Sequence, residues 1–273
     1  MNLIQRNVEL KKKSEISPWR KTAIGSWREA NDASYHMFLD LEVDSILDHL
    51  AKIREKTGEK ITLTHFTIKA MASVLEKYPH MNQLIRLGRC YGRKNVDIFA
   101  HVASDPNGHD LTGVTIRNVD QKNLIDLAQE INPKIKCIKS GTDVTFQQVK
   151  KTLRFIPGML MRPILNFLTF IQYGLNLWSP LFQTPKDPFG SALVTNLGSL
   201  GGIDMPLTPM AYYNQVPIIC AMGTVREKPM VKNGQIIIAK VLTLGFTVDH
   251  RLMDGLHGSL IAKEFKLFFS EIT

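Results

Sequence analysis

Asn233-Gly234 constrains the fold more than any other feature of this sequence. The pair stands between two strand-patterned segments, 217–225 and 235–239. A two-residue turn of this kind needs positive φ at both central positions, which Asn and Gly adopt at the least cost, so it forces an antiparallel pair. Further strands are read at 241–248, 37–43, 95–102 and 111–116, the last two around Asp105-Pro106-Asn107-Gly108. Helical periodicity predicts helices at 45–56 (capped by Asp44), 64–78, 123–131 and 258–271. Strands and helices follow in irregular order, with neither a GxGxxG nor a P-loop. That favours an α+β fold with a mixed or antiparallel sheet over a doubly wound nucleotide fold.

The chain has 273 residues, 44% hydrophobic and 22% charged. Such proportions are those of an ordinary soluble domain; they exclude wholesale disorder, a coiled coil and a polytopic membrane protein. One domain over 1–273 is expected, with a basic N-terminal arm at 1–19 and an apolar helical insert at 150–186. The net charge of +9 attracts anions: nucleic acid, anionic lipid or a phosphorylated small molecule such as coenzyme A. No nucleic-acid-binding motif is present, so no nucleic-acid partner is expected. Cys90, Cys137 and Cys220 are too few and too scattered for a disulfide framework or a zinc site, and no metal is expected. Sparse cysteines and the lack of an apolar stretch in the first 20 residues point to the cytoplasm.

The segment 152–183 stands apart. No acid occurs between Asp143 and Asp187, and no charge between Pro163 and Pro185. A helix from Pro163 to about Trp178 is predicted, shorter than the roughly 20 residues a bilayer span needs. Three readings fit it: a buried or subunit-contacting helix, a hydrophobic lid over an acyl group, or contact with a membrane surface.

Chemistry centres on Asp249-His250-Arg251-Leu252-Met253-Asp254-Gly255, directly after the strand at 241–248. The near-neutral pKa of histidine suits proton transfer, and a strand end fixes its backbone. Gly255 is read as letting the chain leave without blocking the ring, and Asp254 as orienting a neighbouring group or balancing an arginine. On this motif alone, a core histidine bonded to a backbone carbonyl is the commoner occurrence.

His-x-x-x-Asp-Gly at the end of a C-terminal strand, followed by Leu256-His257 and a closing helix, resembles the acyltransferase signature of two families. One is the catalytic domain of the dihydrolipoamide acyltransferase component of 2-oxoacid dehydrogenase complexes; the other is chloramphenicol acetyltransferase. Arg20-Lys21-Thr22 through Asp44, Thr64 through Asn82, Asn95 through Leu124, Leu193-Val194-Thr195-Asn196-Leu197-Gly198 and Arg226-Glu227-Lys228-Pro229 resemble the first family in its own order. The likeness covers about 20–149 and 187–273.

The resemblance implies a chloramphenicol acetyltransferase-like α+β fold, with a central mixed sheet flanked by helices, and a homotrimer whose active sites lie between adjacent subunits. It implies acyl transfer between coenzyme A, entering as CoA or acyl-CoA, and an acceptor thiol, hydroxyl or amine. His250 is then the general base, Thr195 the hydroxyl on the oxyanion, and Asp254 a supporting residue paired with an N-terminal arginine, for which Arg20 is the candidate. The chain departs from the family in two ways. It carries no lipoyl domain, so a separate lipoyl or acyl-carrier protein is the expected arm, and its 150–186 segment is longer and more apolar. An inactive trimeric scaffold of the same fold is the alternative, as is peripheral membrane association through the insert.

Overall fold

The computed structural model describes residues 33–103, 111–142, 157–179, 186–201, 204–207 and 215–270. Strands β1 (Ser34–Glu42), β4 (Ile98–Ala103), β5 (Leu111–Ile116), β6 (Ala192–Asn196), β7 (Ile218–Met222), β8 (Arg226–Lys232) and β9 (Gln235–Asp249) make one seven-stranded sheet, while β2 (Gln83–Arg86) and β3 (Arg89–Gly92) make a separate hairpin. The order is β1-β9-β7-β6-β4-β5, with β8 on the outer half of β9. Strand β6 runs parallel to β4 and β7; the other pairs are antiparallel. The sheet is therefore mixed, as expected.

Strand alternation gives the sheet two unlike faces. Val194, Cys220, Leu244 and Phe246 point to one side. There α1 (Asp44–Thr57), α2 (Leu63–Lys77), α3 (Leu124–Lys139) and α5 (Gly255–Ser270) bring Leu50, Phe66, Leu127 and Phe265 into a single core. The alternate residues Leu193 and Ile219 join Phe99 in a smaller cluster on the other side. That side also holds buried hydroxyls at Thr195, Thr243 and Thr247. Thr247 donates to the Leu207 carbonyl, so it accepts from His36 Nδ1 at 3.0 Å.

Several local expectations are corrected. The segments read at 235–239 and 241–248 are one strand, β9. Asn233-Gly234, at φ 53° and 77°, joins β9 to β8 and not to 217–225. Strand β8 leaves little sequence signal because it is an outer strand with Arg226, Lys228 and Lys232 on it and Pro229 inside, features that argue against a central strand. Asp44 does not cap α1; its carboxylate accepts the Lys240 amide at 2.8 Å. Asn123 does cap α3, accepting from Ile125 and Asp126 at 2.8 and 2.9 Å. That helix runs on through Pro133 to Lys139. Helix α4 (Gly158–Thr169) begins before the expected Pro163 and contains it. Each proline removes one helical hydrogen bond, but both are exposed, so water reaches the freed carbonyl. The turn at 105–108, the arm at 1–19 and part of 150–186 lie outside the described residues.

The insert rejoins the fold through a partly buried polar knot. Within a π-turn at Phe170–Gly174, the Tyr173 hydroxyl donates to Asp187 Oδ1 at 3.0 Å. The guanidinium of Arg93, nearly buried, bonds the other carboxylate oxygen. Arg117 spans Asp97 (2.8 Å) and the Asp187 carbonyl (3.0 Å). Burial, reinforced by the Asp187 carboxylate, raises the Tyr173 phenol pKa and keeps it protonated as the donor.

Two histidines tie stability to pH. His65 caps α2, its Nδ1 accepting from the Thr62 amide at 3.2 Å, and His101 lies in β4 beside Phe99. Burial pushes both down to about 4. Between pH 4 and 6.5 the unfolded chain binds more protons at these sites than the folded one. Their stabilising contribution is thus complete above 6.5 and is lost as pH falls toward 4. From pH 7.5 to 5.0 the loss is roughly 2 kcal/mol apiece. Urea unfolding at the two pH values is expected to show it, with a smaller drop for His101→Gln; an unchanged midpoint would contradict it.

Candidate active site

His250 is the first residue beyond β9. The Asp249 amide donates to the Pro217 carbonyl at 3.0 Å, which holds the strand end in the sheet. The Asp249 carbonyl accepts from Leu252 and Met253, both at 3.1 Å, and Met253 is buried. The Asp249 carboxylate clamps Arg251, with Nη2 at 2.6 Å. The backbone of His250 is thereby fixed while its ring stands exposed. Among the described residues no group hydrogen-bonds that ring. Its closest described aromatic neighbour is Tyr35, edge to face at 5.4 Å between centroids. The Tyr35 hydroxyl donates to the Asp254 carbonyl at 2.8 Å, so one tyrosine braces both the histidine and the start of α5. Burial, then the nearby Asp254 charge, raises the Tyr35 phenol pKa.

Asp254 caps α5. Its Oδ1 accepts from the Leu256 amide at 3.0 Å and lies 2.8 Å from His257 Nδ1. The His257 bond holds the carboxyl below the usual range. The described partner of Asp254 is thus His257, whose ring in turn meets that of His80 at 5.3 Å. Arg20, the expected partner, lies outside the described residues. Gly255 opens α5 without positive φ, and a Cβ there would meet nothing within 4 Å. Its expected steric role therefore has no counterpart within the single chain. The glycine under constraint is Gly258, where a Cβ would come 3.2 Å from the Tyr35 hydroxyl.

Thr195 is buried near the C-terminal end of β6, on the sheet face away from the helices. Its ladder partner is Ala221, and the partner of Ala221 is Gly245. His250 lies five residues beyond Gly245, at the opposite end of the sheet. Two strand spacings across and five residues along put the two some 19 Å apart, roughly, in one chain. The structure therefore holds His250 near Asp254 and Tyr35 but does not bring Thr195 to them. A cleft of about 200 Å³ opens at the Thr195 end, lined by Leu63, Asn196, Ser199, Gly223, Thr224 and Val225 among others. None of the expected site residues lines it. The brace formed by Tyr35 carries no sequence signal, since an aromatic in an alternating strand reads as packing. His257 is visible three residues beyond Asp254, the spacing of a capping pair.

Comparison with known proteins places the fold and the family. The family model described as 2-oxoacid dehydrogenases acyltransferase (catalytic domain) matches residues 9–151 and 186–273. The chain is 26% identical over 274 residues to the dihydrolipoyllysine-residue acetyltransferase component of the pyruvate dehydrogenase complex of Rickettsia bellii, covering 97% of this chain and 54% of that protein. It spans about half the length of the curated relatives it matches. Among solved structures, the cubic core of a pyruvate dehydrogenase multienzyme complex is similar at a TM-score of 0.65 and 18% identity, covering 98% of each chain. A structure probing a serine, a histidine and an asparagine in the catalytic mechanism of Azotobacter vinelandii dihydrolipoamide acetyltransferase has the same TM-score of 0.65, 18% identity and 98% coverage of both chains. The fold is that of these acyltransferase cores, and the segment the family model leaves out, 152–185, is the apolar insert. With most of its length matched in two consecutive stretches, the chain belongs to the family of 2-oxoacid dehydrogenase acyltransferase catalytic domains.

Proposed function

We propose that this protein transfers an acyl group between coenzyme A and a second thiol, at sites shared between copies of the chain in a homotrimer. The observation that carries the reading is the separation of His250 from Thr195. An exposed imidazole on a fixed backbone and a hydroxyl on the helix-free sheet face lie too far apart to act on one carbonyl within one chain. A second copy, set against the sheet, supplies the missing half of each site.

In this mechanism a ring nitrogen of His250 takes the proton of the acceptor thiol. A free thiol of pKa ~8.5 is only a few per cent ionised at neutral pH, so a base within reach raises the thiolate at the moment of attack. The sulfur attacks the thioester carbonyl carbon and the carbonyl electron pair moves to oxygen. Thr195 of the adjacent copy donates its Oγ1 hydrogen to that oxyanion. Collapse re-forms the carbonyl and breaks the bond to the coenzyme A sulfur, which recovers the proton from the imidazolium. The Tyr35 ring and the capped start of α5 keep the imidazole in place, and Arg20 would add a partner for Asp254. Basic residues on the surface suit the coenzyme phosphates.

A dihydrolipoyl group is the acceptor that family membership favours. The apolar insert favours a hydrophobic acyl group. Acyl-CoA thioesters of two to sixteen carbons, offered with dihydrolipoamide and followed by chromatographic release of coenzyme A, test both points. Turnover with at least one donor, highest for the longer chains, is expected. Failure with every donor would overturn the enzymatic reading, and preference for acetyl would overturn the hydrophobic one.

A further inference from the structure

The insert ends in a surface that the family fold does not require. Helix α4 and the π-turn after it cover 158–174, about 25 Å of helix by rise, and no described helix is long and apolar enough to cross a membrane. Met159 is 85% exposed, Phe167 63% and Phe170 51%. They share one side of the helix with Arg162 and Asn166, while Ile164, Leu165 and Leu168 turn inward. Leu177 and Trp178 continue the exposed apolar surface beyond the π-turn.

The β2–β3 hairpin is locked to the same end. The Arg86 guanidinium donates to the Gly174 and Leu175 carbonyls at 2.8 and 3.3 Å and lies 5.6 Å from the Tyr91 ring centroid. Leu87, at the hairpin tip, is exposed. The hairpin carries Arg86 and Arg89, α4 carries Arg162, and Lys186 follows the insert in sequence. Carboxylates are missing from 144–186 altogether. The two at the stem are already engaged, Asp187 by Arg93 and Tyr173, and Asp97 by Arg117.

We propose that this surface docks the protein on an anionic lipid bilayer, with α4 lying in the plane of the interface. Met159, Phe167 and Phe170 enter the headgroup boundary, and Arg89 and Arg162 meet lipid phosphates. A second copy of the chain is the poorer occupant. Two such faces would bring like charges together with no carboxylate from the insert to pair them. The docking stands independently of the catalytic roles of His250 and Thr195, neither of which lies in the insert.

The protein is sedimented with vesicles of phosphatidylcholine containing 30% phosphatidylglycerol, and with phosphatidylcholine alone, at about 50 mM salt. Binding to the anionic vesicles, weakened by salt, and lowered about tenfold by the double substitution F167E/F170E, is expected. Both phenylalanines are largely exposed, so the variant keeps its circular dichroism and thermal transition. No binding by the native protein, or equal binding by the variant, would overturn the proposal. So would a fall in particle mass of the variant by light scattering without vesicles, which would assign the face to contact between copies.

Discussion

Replacing His250 with alanine is expected to lower the rate constant for acyl transfer by about a thousandfold, the order of effect of a positioned general base. The substitution removes an exposed ring, so stability should hardly change. Coenzyme A binding should also persist, because the proton acceptor contributes to the transition state and not to the ground-state complex. The pH dependence carries the sharper information. The residual activity of His250→Ala should keep rising, about tenfold per pH unit, until the acceptor thiol itself ionises. A variant that keeps native kcat would mean that another group takes the proton.

Thr195→Val should cost about a hundredfold to a thousandfold in kcat, with KM little changed, as expected for loss of one oxyanion donor. Valine keeps the branched shape that the buried β6 position needs, so the loss reports the hydroxyl and not a packing defect. Thr195→Ser supplies the control: it restores the donor and should return the rate to within about tenfold of native. Equal rates for the valine and serine variants would place the oxyanion elsewhere. The cleft near Asn196 would then become the next candidate, since it opens at the same end of the sheet.

Much of the architecture is legible in the residue pattern. Hydrophobic alternation marks β4, β5 and most of β9, and the Asn123 cap marks the start of α3. The errors come where one local rule meets a stronger one. Pro133 and Pro163 lie in helices because their faces are exposed and the lost bond is hydrated. Asp44 has a backbone amide of β9 to satisfy, an obligation only the tertiary fold creates. The β2–β3 hairpin turns at Leu87-Gly88, with Leu87 at φ 47°; leucine is a poor signal for a left-handed position, so the turn leaves no trace in the pattern. The proposed site is a reading of residues and not of geometry. His250 and Asp254 are four positions apart on one turn, and the turn keeps them together. Thr195 is linked to them only by the family resemblance and the proposed mechanism, because neither spacing nor strand register brings it to them within one chain. Asp254 gains His257 as a partner through helix capping, which a spacing of three residues encodes directly.

Complementation between inactive copies bears most directly on a shared site. His250→Ala and Thr195→Val chains, carrying different tags and co-expressed in equal amounts, assemble at random. If each site joins the histidine of one copy to the threonine of its neighbour, about a quarter of the interfaces hold both native groups. Doubly tagged, purified trimers, freed of the two homotypic species, hold one such interface in three and should then recover about a third of native activity, although each variant alone keeps only a residual rate. Activity in the mixed assemblies no higher than in the separate variants would contradict a site divided between chains, and with it the catalytic roles of His250 and Thr195.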